Sequence, residues 1–224
     1  MLGLWSESEA IITYGITQDE LTNYFLSAFI VRQFTAVWVM VSFEEDCLEG
    51  RLSPFLLHPL TPFWRYFSSH IAEQVTRIPF VVLILTIFFS LLPGSFWVPE
   101  LTDVLLFILA IFGAFTLRFL IHWLFAMFCF WNERISSIER LLTIPYLFLS
   151  GMVAPLDTFP PKLKVFALYT PFPYLLSFPA ELLAGKSIAS INGFLALLIW
   201  GAIFLVLGVL AWKKGIKHYS SMGA

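Results

Sequence analysis

Long runs of apolar residues, separated by short polar segments, dominate the pattern of this chain. Crossing about 30 Å of hydrocarbon takes roughly 20 residues of α-helix, and five runs approach or exceed that length. The predicted spans are 21–43, 78–98, 104–131, 138–154 and 191–212. The pattern therefore predicts an all-α, polytopic membrane bundle with five spans, organised as a single transmembrane domain over residues 1–224.

Composition favours a membrane protein and argues against nucleic-acid binding. The chain is 59% hydrophobic and 12% charged, whereas a soluble domain carries about 25% charged residues. A net charge of −2 leaves no basic stripe to neutralise phosphates. The two cysteines, Cys47 and Cys129, fit no metal-ligand spacing. Lipid is thus the expected surrounding, and neither nucleic acid nor a metal is expected as a ligand.

The distribution of Lys and Arg predicts which ends of the spans face the cytoplasm, where these residues are enriched. One side of the predicted bundle holds eight of them: Arg51, Arg65, Arg77, Arg134, Arg140, Lys213, Lys214 and Lys217. The other side holds three: Lys162, Lys164 and Lys186. The segment 44–77 and the C-terminus are therefore predicted to be cytoplasmic, and five spans then place the N-terminus outside.

The predicted external segment, 155–190, is rich in proline and in apolar side chains. Its prolines exclude one continuous helix: Pro155, Pro160, Pro161, Pro171, Pro173 and Pro179. Side chains such as Phe166, Phe172 and Tyr174 are too apolar for a free loop. We expect short helices that lie in the outer interface or dip back into the membrane.

The predicted cytoplasmic segment 44–77 begins with an acidic run and continues, after Gly50 and Arg51, with an apolar stretch rich in proline. So apolar a stretch on a cytoplasmic segment is expected either to lie on the membrane or to dock into a partner's groove. The sequence pattern leaves both interpretations open.

Three basic residues well inside the predicted spans are candidates for a functional role. Arg32 lies near the centre of the first span, where a cation costs roughly 2.5–3.5 kcal/mol on insertion scales. Arg118 and His122 are four residues apart and share one helix face. They are expected either to pair at helix interfaces or to line a substrate path.

An intramembrane enzyme would need a nucleophile and a base close together. His122, Ser150 and Asp157 lie in or near spans, but no G-x-S-x-G or H-E-x-x-H motif accompanies them. No catalytic residue is therefore predicted. A non-transporting membrane scaffold remains an alternative to a transport protein, and an intramembrane enzyme is a weaker one.

Two motif regions resemble the ABC-2 class of transporter permeases, and the likeness covers nearly the whole chain. The first has the pattern E-x-x-x-E-G-R-L-x-x-x-L-L-x-P-L-x-P over 45–62. The second reads S-G-M-V-A-P-L-D-x-F-P over 150–160 and leads on to P-F-P-Y over 171–174 and P-A-x-L-L-x-G over 179–185. Together they resemble a bacterial branch of six-span ABC-2 permease subunits.

The resemblance implies an exporter subunit of the bacterial inner membrane, not itself an enzyme, that moves an amphiphilic or hydrophobic substrate outward. It implies partner ABC ATPase subunits, which would bind ATP and Mg²⁺, and a second permease copy or a sister permease. The implied coupling residues are Glu45, Glu49, Gly50, Arg51, Pro54, Pro59 and Pro62. The implied external gate region contains Pro155, Asp157, Pro171, Phe172, Pro173 and Tyr174.

The chain departs from the family pattern in its first span. Its five predicted spans correspond to the family's second to sixth, so we expect the first to be missing from this sequence. A start codon assigned too far downstream would explain this, and residues 1–5 would then be the last turn of that helix.

Overall fold

The computed structural model describes residues 17–91, 98–132, 135–185 and 190–219, and all regular elements within these ranges are helical. Residues 1–5, Arg134 and Lys186 lie outside the described residues. The α-helices are α1 (Gln18–Phe34), α2 (Val39–Leu48), α3 (Leu52–Leu56), α4 (Pro62–Leu91), α5 (Leu101–Ala126), α6 (Ser136–Leu149), α7 (Pro161–Leu168), α8 (Ser177–Leu183) and α9 (Ser190–Gly215). The 3-10 helices are Met127–Phe130, Leu156–Thr158 and Phe172–Leu175.

Four helical stretches in the described ranges are long and apolar enough to cross a membrane. They are Gln18–Leu48, Pro62–Leu91, Leu101–Phe130 and Ile191–Gly215. The prediction of an all-α, polytopic membrane bundle is therefore confirmed.

The fourth predicted span, 138–154, is shorter in the structure than its hydropathy suggests. α6 has 14 residues and covers about 21 Å, less than the hydrocarbon thickness. Gly151, with φ +84°, follows directly after Ser150. This left-handed conformation, which glycine adopts without strain, cannot continue a right-handed helix. The helix therefore ends before Gly151, although the apolar run in the sequence continues past it.

Two other predicted boundaries also differ. The first span, 21–43, is divided between α1 and α2, with residues 35–38 outside both helices. The second span, predicted to begin at 78, is part of a helix that begins at Pro62 and contains Pro79 in its interior. Most of the segment 44–77 is thus helical. Hydropathy did not predict this helix, because the first half of α4 is more polar than its second half.

α5 is the central helix of the bundle and packs against α9, α8 and α2. Ala110, Ala114 and Ala126 on α5 are fully buried, and small side chains let neighbouring helices approach closely. α4 and α9 expose most of their apolar side chains, as expected for helices that face lipid.

Aromatic side chains form the core at one end of the bundle. The Phe43 ring packs edge-to-face against Trp123 and Phe130, with centroids 5.5 Å and 5.6 Å away. Trp212 of α9 stacks on Trp123 at 5.8 Å. These contacts hold α2, the end of α5 and the end of α9 together. We call this region, which also contains α3 and the first turns of α4, the Asp46 end.

Candidate functional site

The turn between α2 and α3 depends on Gly50, which has φ +71°. Glycine adopts this left-handed conformation without the clash that a Cβ atom introduces. Because the chain reverses there, Arg51 can reach back to the carboxylates of α2.

Asp46 is the centre of a polar cluster at this turn, and its side chain is only 8% exposed. Its carboxylate accepts hydrogen bonds from Arg51 Nε at 2.8 Å and Arg65 Nη1 at 3.1 Å. It also accepts one from the Tyr66 hydroxyl at 2.6 Å. Hydrogen bonds between ions are the stronger kind, so the cluster joins the α2–α3 turn to the start of α4.

The predicted coupling residues Glu45, Glu49, Gly50 and Arg51 come together around this cluster. Arg51 forms ion pairs with Glu49 and, at 3.9 Å, with Glu45. Both glutamates are more than half exposed, and exposed pairs contribute little stability. The hydrogen bond to Asp46, followed by the carboxylate of Glu49, raises the pKa of the Arg51 guanidinium above its ordinary value.

Two of the three predicted coupling prolines, Pro59 and Pro62, line an exposed groove. Pro54 lies within α3, Pro59 lies in the turn that follows, and Pro62 begins α4. The groove has a volume of about 510 Å³. It is lined by Phe55, His58, Pro59, Leu60, Thr61, Pro62, Trp64, Arg65 and Ser68. The Arg65 guanidinium lies over the Phe55 ring, 3.6 Å from its centroid, and shapes one wall.

Two further contacts connect the α2–α3 turn to the rest of the bundle. Glu44 Oε2 accepts a hydrogen bond from the Ile135 backbone N–H at 2.9 Å, next to the start of α6. The hydroxyls of Ser53 and Tyr219 lie 3.1 Å apart, near the end of the described chain. A displacement of α2 and α3 would therefore also act on α6 and on the segment after α9.

The junction between α1 and α2 is held by two side chains of α4. His70 Nε2 accepts a hydrogen bond from the Trp38 backbone N–H at 3.0 Å, while Nδ1 donates to the Tyr66 carbonyl at 2.7 Å. Arg77, which pairs with Glu73, donates to the Gln33 carbonyl at 3.0 Å. These bonds satisfy backbone groups that the helix break leaves without helical partners.

Arg118 and His122 lie together, and both line a cavity of about 160 Å³. Glu139 and Tyr146 of α6 line the same cavity, and the Arg118 guanidinium lies over the Tyr146 ring, 4.4 Å from its centroid. Arg32 is elsewhere: it is exposed and borders a different, largely apolar cavity of about 390 Å³. Arg32 thus lines a different cavity from Arg118 and His122.

The predicted gate region is folded into the bundle. Pro155, Pro171 and Pro173 are buried, and Phe172 lines the Arg118 cavity. α8 packs against both α1 and α5. The segment is thus divided into short helices, as its prolines predict.

The remaining gate residues are less enclosed. Asp157 is exposed and forms an ion pair with Lys164 at 2.9 Å. The Tyr174 hydroxyl donates to the Leu168 carbonyl at 2.9 Å, and partial burial raises the pKa of Tyr174.

A tyrosine that the sequence analysis did not single out anchors the gate region. The Tyr24 hydroxyl of α1 donates to the Gly151 carbonyl at 2.8 Å. The Ser177 backbone N–H donates to the Ser150 carbonyl at 3.1 Å. The turn after α6 is therefore tied both to α1 and to α8.

Sequence reasoning also missed Asp46 and His70. Asp46 follows Val39 and Phe43 by seven and three residues, so helical periodicity places it on the buried face of α2. His70, Glu73 and Arg77 recur at helical spacing in the predicted cytoplasmic segment 44–77. In both cases the spacing of the residues along one helical face could have predicted their positions.

The described residues contain no group of three or more His, Cys, Asp or Glu that could hold a metal ion. Their polar clusters instead connect helices to one another and line cavities.

Comparison with known proteins identifies the family. The family model described as "ABC-2 family transporter protein" matches residues 1–223. Neither the curated proteins nor the solved structures include a match to this chain. With nearly its whole length matched and its helices apolar enough to cross a membrane several times, the chain belongs to the ABC-2 transporter family and is a multi-pass membrane permease of an ABC transporter.

Proposed function

We propose that this permease is a subunit of an ATP-driven exporter in the bacterial inner membrane and carries an amphiphilic or hydrophobic substrate outward. Its Asp46 end and its C-terminus face the cytoplasm. There it binds separate ABC ATPase subunits, which hold ATP and Mg²⁺ and perform the hydrolysis. The chain itself contributes no catalytic residue, and it assembles with a second copy or a sister permease.

The observation that carries the proposal is the groove between α3 and α4. Leu57, Leu60 and Trp64 in or beside it are 89%, 69% and 56% exposed. Arg65, His58, Thr61 and Ser68 add polar groups to the otherwise apolar lining. An exposed apolar groove with a polar rim is typical of a protein-docking site.

The contacts around the groove support a coupling role. Asp46 binds Arg65 and Tyr66 at the start of α4, and Glu44 binds the chain just before α6. A partner that pushes on the groove would displace α2, α3 and the start of α6 together. The break at residues 35–38 is where this unit would pivot relative to α1.

The substrate class is supported by the cavity beside Arg32. Most of its lining is apolar: Phe25, Leu26, Ala28, Phe29, Ile84, Phe88, Met152 and Leu176. A single cation in an apolar cavity suits a molecule with an apolar body and an anionic or strongly polar group.

The test is to purify the chain with a C-terminal tag in mild detergent and to identify co-purifying proteins by mass spectrometry. We expect a stoichiometric soluble chain bearing a full Walker A motif. Leu57→Ser with Leu60→Ser should abolish its recovery, because both side chains are exposed and the substitutions remove only the docking surface. Leu101→Ser is the matched control: Leu101 is 75% exposed and lies at the end of α5 that is far from the groove.

A well-folded permease purified alone, even after gentle cross-linking, would contradict the proposal and favour a scaffold. Equal ATPase recovery with the double variant and the control would remove the groove as the docking site, and the segment would then be interpreted as lying on the membrane.

A further inference from the structure

The cavity beside Arg118 lies inside the bundle, at the junction of four segments. Ala36, Val37 and Trp38 come from the break between α1 and α2, and other lining residues come from α5, α6 and the 3-10 helix Phe172–Leu175. Its volume is about 160 Å³. A cavity of about 150 Å³ accommodates benzene, so this one suits a ligand of about six to eight non-hydrogen atoms.

Two residues that line the cavity each carry a buried polar atom with no hydrogen-bond partner among the described residues. The atoms are His122 Nδ1 and the Tyr146 hydroxyl, both buried, and Tyr146 as a whole is only 9% exposed. Buried polar atoms are nearly always hydrogen-bonded. Two such atoms on the residues around one cavity therefore favour a polar ligand there.

The cavity also carries one charge of each sign. Arg118 and Glu139 both line it, yet no ion pair of 4.0 Å or less joins them in the described part of the chain. The Arg118 guanidinium lies over the Tyr146 ring, so its N–H groups remain able to donate. A lone anion would meet Glu139 and a lone cation would meet Arg118, whereas a molecule carrying both charges is complementary to the pair.

We propose that this cavity binds a small zwitterion, with its oxyanion against Arg118 and His122 and its ammonium group against Glu139. Tyr146 donates a further hydrogen bond to the oxyanion. The source of this chemistry is either a free amino-acid-like molecule or the phosphoethanolamine headgroup of a lipid. The site is a property of the permease alone and requires neither the ATPase partner nor the exporter assignment.

The first experiment measures the thermal stability of the purified full chain in a maltoside detergent by tryptophan fluorescence. Glycine and phosphoethanolamine are the zwitterionic probes, and ethanolamine, acetate and inorganic phosphate are the single-charge controls. We expect concentration-dependent stabilisation by at least one zwitterion and none by the controls. Stabilisation by the single-charge probes to the same extent, or by no probe at all, would overturn the proposal.

Variants then test the assigned contacts. Arg118→Met and Glu139→Gln should each weaken zwitterion binding by roughly tenfold or more, since each removes a charge-assisted hydrogen bond. Arg140→Met is the matched control, because Arg140 is exposed next to Glu139 on α6 and does not line the cavity. If Arg118→Met does not fold, Arg118→Lys retains the charge but loses the planar fork and should bind measurably more weakly. Wild-type affinity in the variants would remove Arg118 and Glu139 as ligands.

A second measurement separates the two sources. Native mass spectrometry of the chain released from nanodiscs of phosphatidylethanolamine or of phosphatidylglycerol reports retained lipid. Retention of phosphatidylethanolamine, lost in Glu139→Gln, identifies a lipid headgroup, while binding of glycine without lipid retention identifies a free zwitterion. Loss of ATPase recovery would leave both results unaffected, so failure of this inference and failure of the proposed function are distinguishable.

Discussion

Asp46 accepts hydrogen bonds from Arg51, which directly precedes α3, and from Arg65 and Tyr66 at the start of α4. In the sequence it is one of four acidic residues within six positions, and composition does not distinguish it from Glu45 or Glu49. Its burial against the start of α4 does, because a buried carboxylate needs several donors while an exposed one is satisfied by water.

We expect Asp46→Asn to lower the free energy of unfolding by about 2 kcal/mol, because it leaves two guanidinium groups without their shared carboxylate. Glu45→Gln should change it by less than about 1 kcal/mol, since this pair is exposed and 3.9 Å long. The measurement is SDS-induced unfolding in mixed micelles. Equal effects of the two substitutions would show that Asp46 is not the centre of the cluster.

Gly151 and Gly185 provide a matched pair, with φ +84° and +82°. A Cβ atom on Gly151 would lie 2.4 Å from the Tyr24 hydroxyl, whereas one on Gly185 would meet nothing within 4 Å. Gly185→Ala should cost about 1 kcal/mol from backbone strain. Gly151→Ala should cost about 2 kcal/mol more because it also displaces Tyr24. The same unfolding assay checks both, and indistinguishable variants would argue against the contact with Tyr24.

At the scale of elements, the break between α1 and α2 is the feature that hydropathy cannot reveal. Residues 35–38 are as apolar as their neighbours, so the pattern predicts one uninterrupted span. The break depends on partners distant in sequence, because the Trp38 N–H and the Gln33 carbonyl find their acceptor and donor on α4.

His70→Leu should therefore destabilise the protein by about 1 kcal/mol, because it removes the acceptor of the partly buried hydrogen bond from the Trp38 backbone N–H. Ser69→Ala, at the exposed neighbouring position, should change stability by less than about 0.5 kcal/mol. Unfolding in mixed micelles is again the measurement. A His70→Leu protein as stable as wild type would mean that the α1–α2 break is held by other contacts.

For the whole molecule, the orientation in the membrane depends on two facts: which helix ends lie together, and which side of the membrane they face. The structure places α2, the end of α5 and the end of α9 at the Asp46 end through the contacts of Phe43, Trp123 and Trp212. The excess of Lys and Arg predicts that this end is cytoplasmic.

Cysteine labelling in intact cells tests this orientation. In a background with Cys47→Ala and Cys129→Ala, a membrane-impermeant maleimide should modify Lys162→Cys from outside. Asn132→Cys and Lys217→Cys should react only after the cells are permeabilised, because they lie at the Asp46 end, and all three positions are exposed. Labelling of Asn132→Cys and Lys217→Cys from opposite sides would contradict the arrangement of helices.

The sequence by itself determined the class of the protein and the helical character of its long apolar runs, because hydropathy acts over a few neighbouring residues. It also determined the family through two local motifs. The tertiary structure decided where the long apolar runs break, which of several carboxylates is buried, and which polar residues of the spans share a cavity. Arg118 meets Tyr146 and Arg32 does not, since such contacts depend on how distant segments pack and not on the pattern within either one.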